Sequence, residues 1–319
     1  MSDPALKFVV CPGIGGSAQS PAAYSAEGTP PASMGHRMAY WQWGNPQASH
    51  VVMCVHGLSR QGRDFDVLAQ ALRARAGDGL QVICPDVVGR GRSDWLQDPM
   101  GYQLPVYSAD MLALLQTIQP TTLDWVGTSM GGLIGLGLAG QAALPFQIRK
   151  LVLNDVGPAI QWQALQRIGT YLGAAVRFES ETQAAQALRA ISAGFGPHSP
   201  EQWLALTRPM LKPAPDGRGL MLHYDPAIAL AFRALTPEAT AQGEAVLWRL
   251  YDAITAHTLL LRGADSDLLS PQTAKLMTQR GPRARLVEFA GVGHAPTLVA
   301  PQQVQVVLDF LLGDSTAAA

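Results

Sequence analysis

Three cysteines in 319 residues, Cys11, Cys54 and Cys84, leave an odd thiol and show no paired spacing. Neither a disulfide framework nor a zinc site is expected of such a pattern. Cys54 and Cys84 fall within apolar, strand-like runs, where a thiol behaves as a small buried hydrophobe. Charge is equally scarce. Only 15% of residues are charged, the formal net charge is -1, and no long block of one sign occurs. The chain therefore offers no electrostatic footprint for nucleic acid or for an anionic membrane surface. No apolar run reaches the roughly 18 residues of a membrane-crossing helix. The nearest candidate, after Ser129, is broken by glycines and Gln141. Met1-Ser2-Asp3-Pro4-Ala5 has neither the basic segment nor the apolar stretch of a secretory signal, so a cytoplasmic location is expected.

Apolar substance is plentiful. Hydrophobic residues make up 48% of the chain, enough for a large core in one domain or in a core with an insertion. Continuous apolar runs such as 50–55 read as parallel strands covered on both faces, and further strands are expected at 38–43, 80–84, 122–126, 148–153, 258–262 and 284–289. Between them, Phe65, Leu68, Ala71 and Leu72 recur at a helical period. Other helices are expected at 104–118, 271–279 and 304–312, with Ser270 capping Pro271.

From about 159 to 254 this alternation breaks. No buried strand is evident there, only helix-like segments at 162–172, 181–191, 200–207 and 244–254. The expected organisation is an irregular N-terminal arm at 1–36, a core at 37–158 and 255–319, and a helical cap at 159–254. Strands alternating with helices around such an insert mean an α/β sheet, with its site beyond the carboxyl ends of the strands. Gly13-Ile14-Gly15-Gly16 lacks the lysine of a phosphate loop and the dinucleotide spacing, so the arm is read as surface.

The chemistry concentrates at Gly127-Thr128-Ser129-Met130-Gly131. An apolar strand stops at a glycine, a serine occupies a tight turn, and a helix-compatible segment follows at once. That context is what a nucleophile elbow requires. His56-Gly57-Leu58, the run from Pro85 to Ser93, and Gly291-Val292-Gly293-His294 accompany it in order. Together these stretches resemble the α/β-hydrolase superfamily, in its serine-nucleophile branch with a helical cap. The resemblance implies an α/β-hydrolase fold: a mostly parallel central sheet, helices on both faces, and a cap inserted after the sixth core strand.

It also implies roles in the order serine, acid, histidine. Ser129 is the expected nucleophile and His294 the base, on a glycine-flanked loop after the last strand. The acid is expected at Asp267, three or four residues past Gly263, with Asp265 and Asp155 as alternatives. Asp265 would instead bond local backbone N–H groups in the turn. The backbone N–H groups of Leu58 and Met130 are the expected oxyanion donors. His56 is read as a structural hydrogen-bonder, and Asp86, Arg90, Arg92, Ser93 and Asp94 as ordering their loop. Arg60 and Arg63 are read as surface arginines in preference to carboxylate binders, and Trp162, Trp203, Tyr224, Trp248 and Tyr251 as packing anchors in preference to a pocket wall.

The expected activity is carboxylic-ester hydrolysis of a small-molecule substrate through an acyl-enzyme, with no metal or organic cofactor. Hydrolysis of a C–C bond in a diketone acid, lactone opening, and a catalytically silent receptor of the same fold are the alternatives. A serine at the elbow argues against haloalkane dehalogenase and epoxide hydrolase, whose resembling sequences carry aspartate there.

Overall fold

The computed structural model describes residues 3–13 and 35–313. Ile14-Gly15-Gly16 and the Ala-rich tail at 314–319 lie outside the described residues. The strands before the insertion are β1 (Ala5–Cys11), β2 (His36–Gly44), β3 (His50–Val55), β4 (Leu80–Pro85), β5 (Thr122–Thr128) and β6 (Ile148–Asn154). The insertion carries β7 (Arg177–Phe178), β8 (Leu211–Pro213) and β9 (Leu220–Leu222), and the chain then resumes with β10 (His257–Gly263) and β11 (Arg285–Phe289). One eight-stranded sheet runs β1-β2-β4-β3-β5-β6-β10-β11. β1 and β2 are antiparallel additions, whereas every pairing from β4 to β11 is parallel.

The helices are α1 (Asp66–Ala76), α2 (Leu104–Ile118), α3 (Met130–Ala139), α4 (Trp162–Tyr171), α5 (Glu181–Ile191), α6 (Pro200–Thr207), α7 (Ile228–Arg233), α8 (Pro237–Asp252), α9 (Pro271–Met277) and α10 (Pro301–Leu312). They cover both faces of the sheet, which explains why its strands are apolar without alternation. Val51, Met53 and Val55 of β3 pack with Met111, Leu114, Ile134 and Met277 from α2, α3 and α9. Val52 and Cys54 face the other way, onto Leu68 and Leu72 of α1 and Val307 and Leu311 of α10.

Two local features differ from expectation. Residues 1–36 are not wholly an irregular arm, because β1 pairs along β2 from Ala5 opposite Gln42 to Cys11 opposite His36. Leu6, Phe8 and Val10 of β1 are exposed while Val9 and Cys11 are buried, so this is a half-covered edge strand rather than a continuous apolar run. The insertion is also not purely helical. β7, β9 and β8 form a small antiparallel sheet of strands only two or three residues long. Its last helix, α8, belongs to the packing of the core: Tyr251 is fully buried and its hydroxyl donates to Met277 O at 2.6 Å.

Candidate active site

Ser129 sits between the end of β5 and the start of α3, at φ 52° and ψ −116°. A side chain other than glycine pays about 1–3 kcal/mol for such a conformation, and the turn holds it because its surroundings leave no alternative. Ser129 N–H donates to Asn154 O of the neighbouring strand (3.0 Å), and Ser129 O accepts from Gly132 and Leu133 to begin the helix. The flanking glycines are needed for space. A Cβ on Gly131 would stand 2.0 Å from Val55 O, and one on Gly127 would stand 2.3 Å from Gly131 O.

His294 lies 165 residues later, in the loop after β11. Its Nε2 is 2.9 Å from Ser129 Oγ, and its Nδ1 is 2.7 Å from Asp155 Oδ2. With Nδ1–H donating to the carboxylate, Nε2 is left as the acceptor for the serine hydroxyl. Asn154 braces the arrangement: its Nδ2 donates to Thr128 Oγ1 (2.9 Å) and to Pro296 O (2.8 Å), linking the elbow to the histidine loop.

The carboxylate behind the histidine is therefore Asp155, not the expected Asp267. Asp155 follows β6, which lies between β5 and β10, so its side chain starts one strand away from the serine. It is 0% exposed and adopts φ 56°, a left-handed conformation that aspartate tolerates. Its Oδ1 accepts Gly263 N–H (2.9 Å), and its Oδ2 also accepts the Ser266 hydroxyl (2.6 Å). Asp267 instead points outward and pairs with Arg167 at 2.7 Å, its side chain 49% exposed. Asp265 is exposed, and among the described residues its carboxylate has no hydrogen-bond partner. Ser266 shapes that turn, its Oγ accepting from Leu268 and Leu269 N–H. Nothing in the sequence marks a serine between two aspartates, yet its hydroxyl is the group of this turn that reaches the buried carboxylate.

Met130 opens α3, where the first amides have no intrahelical acceptor. Leu58 follows the end of β3. Arg90 connects the two. It is 0% exposed, its Nε donates to Leu58 O at 2.8 Å, and its Nη2 lies 3.6 Å from Met130 Sδ. The sequence alone assigns Arg90 only to its own loop. Asp86 does order that loop, accepting Gly62 N–H (2.8 Å) and Arg92 N–H (2.9 Å). Burial pushes its carboxyl up to about 6 despite those donors.

His56 is fully buried between two backbone partners. Nδ1–H donates to Gly57 O (2.7 Å), and Nε2 accepts Val87 N–H (2.9 Å). Burial pulls this imidazole down to about 3, so it stays neutral. Arg60 and Arg63 are both committed, Arg60 to Asp64 and Leu206 O, and Arg63 to Asp66. Trp203, Tyr224 and Tyr251 are buried packing residues.

The insertion is fastened around the site. Gly293 N–H donates to Gly194 O (2.6 Å), and His198 Nε2 lies 2.7 Å from Thr297 Oγ1, both bonds falling on the histidine loop. Asp225 N–H donates to Gly89 O (2.7 Å) on the opposite side. A cavity of about 40 Å³ lies beside the loop, bordered by His56, Arg60, Thr128, Phe195 and Ala295. A larger one of about 450 Å³, lined by Gln61, Arg63, Arg92 and His223, reaches neither Ser129 nor His294.

Residues 52–305 match the model of the alpha/beta hydrolase family. A 3-hydroxybutyrate-oligomer hydrolase of Cupriavidus necator is 51% identical over 280 residues, 87% of this chain and 94% of that one. An alpha/beta hydrolase from Novosphingobium aromaticivorans superposes with a TM-score of 0.77 at 33% identity, covering 98% of this chain and 99% of that one. A protein of Rickettsia typhi superposes with a TM-score of 0.80 at 26% identity, over 98% and 100%. Both the sheet with its elbow and these likenesses lead to one conclusion: the chain belongs to the alpha/beta hydrolase family.

Proposed function

We propose that the protein is a serine carboxylesterase acting on short oligomeric esters of 3-hydroxybutyrate-like acids. The observation that carries the chemistry is the hydrogen-bonded relay Ser129–His294–Asp155. As substrate binds, His294 Nε2 takes the Ser129 proton while Oγ attacks the ester carbonyl. Asp155 holds the imidazole in the tautomer that can accept it and stabilises the cation that forms. The N–H groups of Leu58 and Met130 receive the developing oxyanion. His294 then gives that proton to the departing alkoxide oxygen of the next unit, leaving Ser129 acylated, and water, activated by the same imidazole, hydrolyses the acyl-enzyme and releases the acid. The cap, residues 159–254, encloses this reaction and limits access of bulk water.

The oligomeric substrate rests on the Cupriavidus necator relative, whose name specifies 3-hydroxybutyrate oligomers. Three free, buried thiols accord with a reducing, cytoplasmic setting, and no helix among the described residues is long and apolar enough to cross a membrane.

The test is hydrolysis of 3-hydroxybutyrate dimer and trimer by the full chain, beside p-nitrophenyl butyrate. Both are expected to turn over, and Ser129→Ala is expected to lower kcat on the order of 10⁶-fold. Retained turnover in that variant would overturn the mechanism. Cleavage of the p-nitrophenyl ester without the oligomers would overturn the substrate.

A further inference from the structure

Far along the sheet from β5, three side chains with metal-binding chemistry converge. Cys11 ends β1, His36 begins β2 directly opposite it, and Asp110 comes from α2. Their ligand atoms all lie within 4.8 Å of one another. All three residues are buried, at 1%, 6% and 0% exposure. The catalytic relay uses none of them.

The contacts they make among themselves are incomplete. His36 Nε2 lies 2.9 Å from Asp110 Oδ2, but Asp110 Oδ1 is buried with no hydrogen-bond partner. Leaving a buried carboxylate oxygen unpaired costs about 1–3 kcal/mol or more. The Cys11 thiol reaches Asp110 O at a long 4.0 Å and also faces the Asp110 carboxyl. The histidine–aspartate pair accounts for one carboxylate oxygen, and the other is left with only the weak donor of the Cys11 thiol nearby.

We propose that Cys11, His36 and Asp110 form a structural zinc site. Thiolate, imidazole and carboxylate are the ligand types zinc accepts, and the thiolate disfavours magnesium and calcium. Bonds of about 2.0–2.3 Å put tetrahedral donors roughly 3.4–3.6 Å apart, so side-chain shifts of about 1 Å would seat the ion. Asp110 Oδ1 or a water completes the coordination. Binding releases the Cys11 thiol proton to solvent. Thiolate and carboxylate then balance the dication, leaving a buried site with no net charge. The spacing of the three cysteines hides such a site because its ligands are one cysteine, one histidine and one aspartate, brought together only by the pairing of β1 with β2 and the packing of α2. Its role is to staple the edge strand β1 to α2.

The test uses the full chain, free of any polyhistidine tag and stripped with a chelator, titrated with Zn²⁺ and separately with Co²⁺. One Zn²⁺ per chain is expected, with a rise in Tm. Cobalt is expected to give a thiolate-to-metal charge-transfer band that vanishes in Cys11→Ser, persists in Cys84→Ser and weakens in His36→Gln. Absence of that band, or its survival in Cys11→Ser, would overturn the site. X-ray absorption of the zinc-loaded wild type decides the matter without any variant. One sulfur neighbour at about 2.3 Å supports the proposal, and a shell of nitrogen and oxygen alone refutes it.

Discussion

Replacing Asp155 by asparagine changes one atom's chemistry at the base of the relay. The carboxylate takes three donors: His294 Nδ1–H, the Ser266 hydroxyl and Gly263 N–H. An amide has one oxygen for these and brings an NH₂ of its own. With the oxygen kept on Gly263, the NH₂ faces His294 and favours the tautomer protonated at Nε2. That places N–H against the Ser129 hydroxyl, 2.9 Å away, where an acceptor is needed. An aspartate-to-asparagine change of this kind lowers kcat by about 10⁴ in another serine hydrolase, corresponding to about 5 kcal/mol of activation free energy. Asp267→Asn is the paired control. Its ion pair with Arg167 is exposed on both sides, and such pairs contribute about 0–1 kcal/mol. The assay is kcat on p-nitrophenyl butyrate and on 3-hydroxybutyrate dimer, with Tm measured alongside to establish that each variant folds. A folded Asp155→Asn enzyme within about tenfold of wild type would refute the reasoning, as would an equal loss in Asp267→Asn.

Gly131→Ala puts a methyl against the main-chain oxygen of a central strand, which cannot yield (2.0 Å to Val55 O). A loss of at least about 1–3 kcal/mol and of activity is expected, and an unchanged melting temperature would contradict it. For His56 the folded pKa of about 3 lies below the ordinary value of 6.5, so the unfolded chain binds more protons between them. Stability should therefore fall as pH drops from 6.5 toward 3, by up to the order of 5 kcal/mol from this group. Denaturant melts across that range should show a shallower slope in His56→Gln, and parallel curves would count against the assignment. His198→Ala removes a bond between insertion and histidine loop. It should lower kcat/KM several-fold with little change in Tm, and unaltered kinetics would show that the bond does not position the base.

The elbow was legible because its requirements are local: a strand, a glycine, a serine and a helix in immediate succession. His294 was legible for a related reason, since a glycine-flanked loop after the last strand is itself a sequence feature. The acid was not. Asp155 and Asp267 both follow core strands, and only the folded turn decides which reaches inward. At 263–267 the turn sends Ser266 in and Asp267 out, and nothing in the residue types dictates that choice. β1 was legible only as a candidate short strand at Phe8-Val9-Val10, because its exposed Leu6, Phe8 and Val10 alternate with few buried partners beside a glycine-rich stretch. The strands of the insertion are too short for any period to register. Arg90 illustrates a further limit. Its burial and its hold on Leu58 O arise from the meeting of two loops 32 residues apart.

The two bonds from the insertion to the histidine loop, Gly293 N–H to Gly194 O and His198 to Thr297, tie access to readiness. Any motion that lifts the segment near 194–198 would pull on the same few residues that aim the imidazole. Opening the insertion over the site would therefore loosen the hold on His294, and closing it would restore the 2.9 Å approach of the imidazole to Ser129.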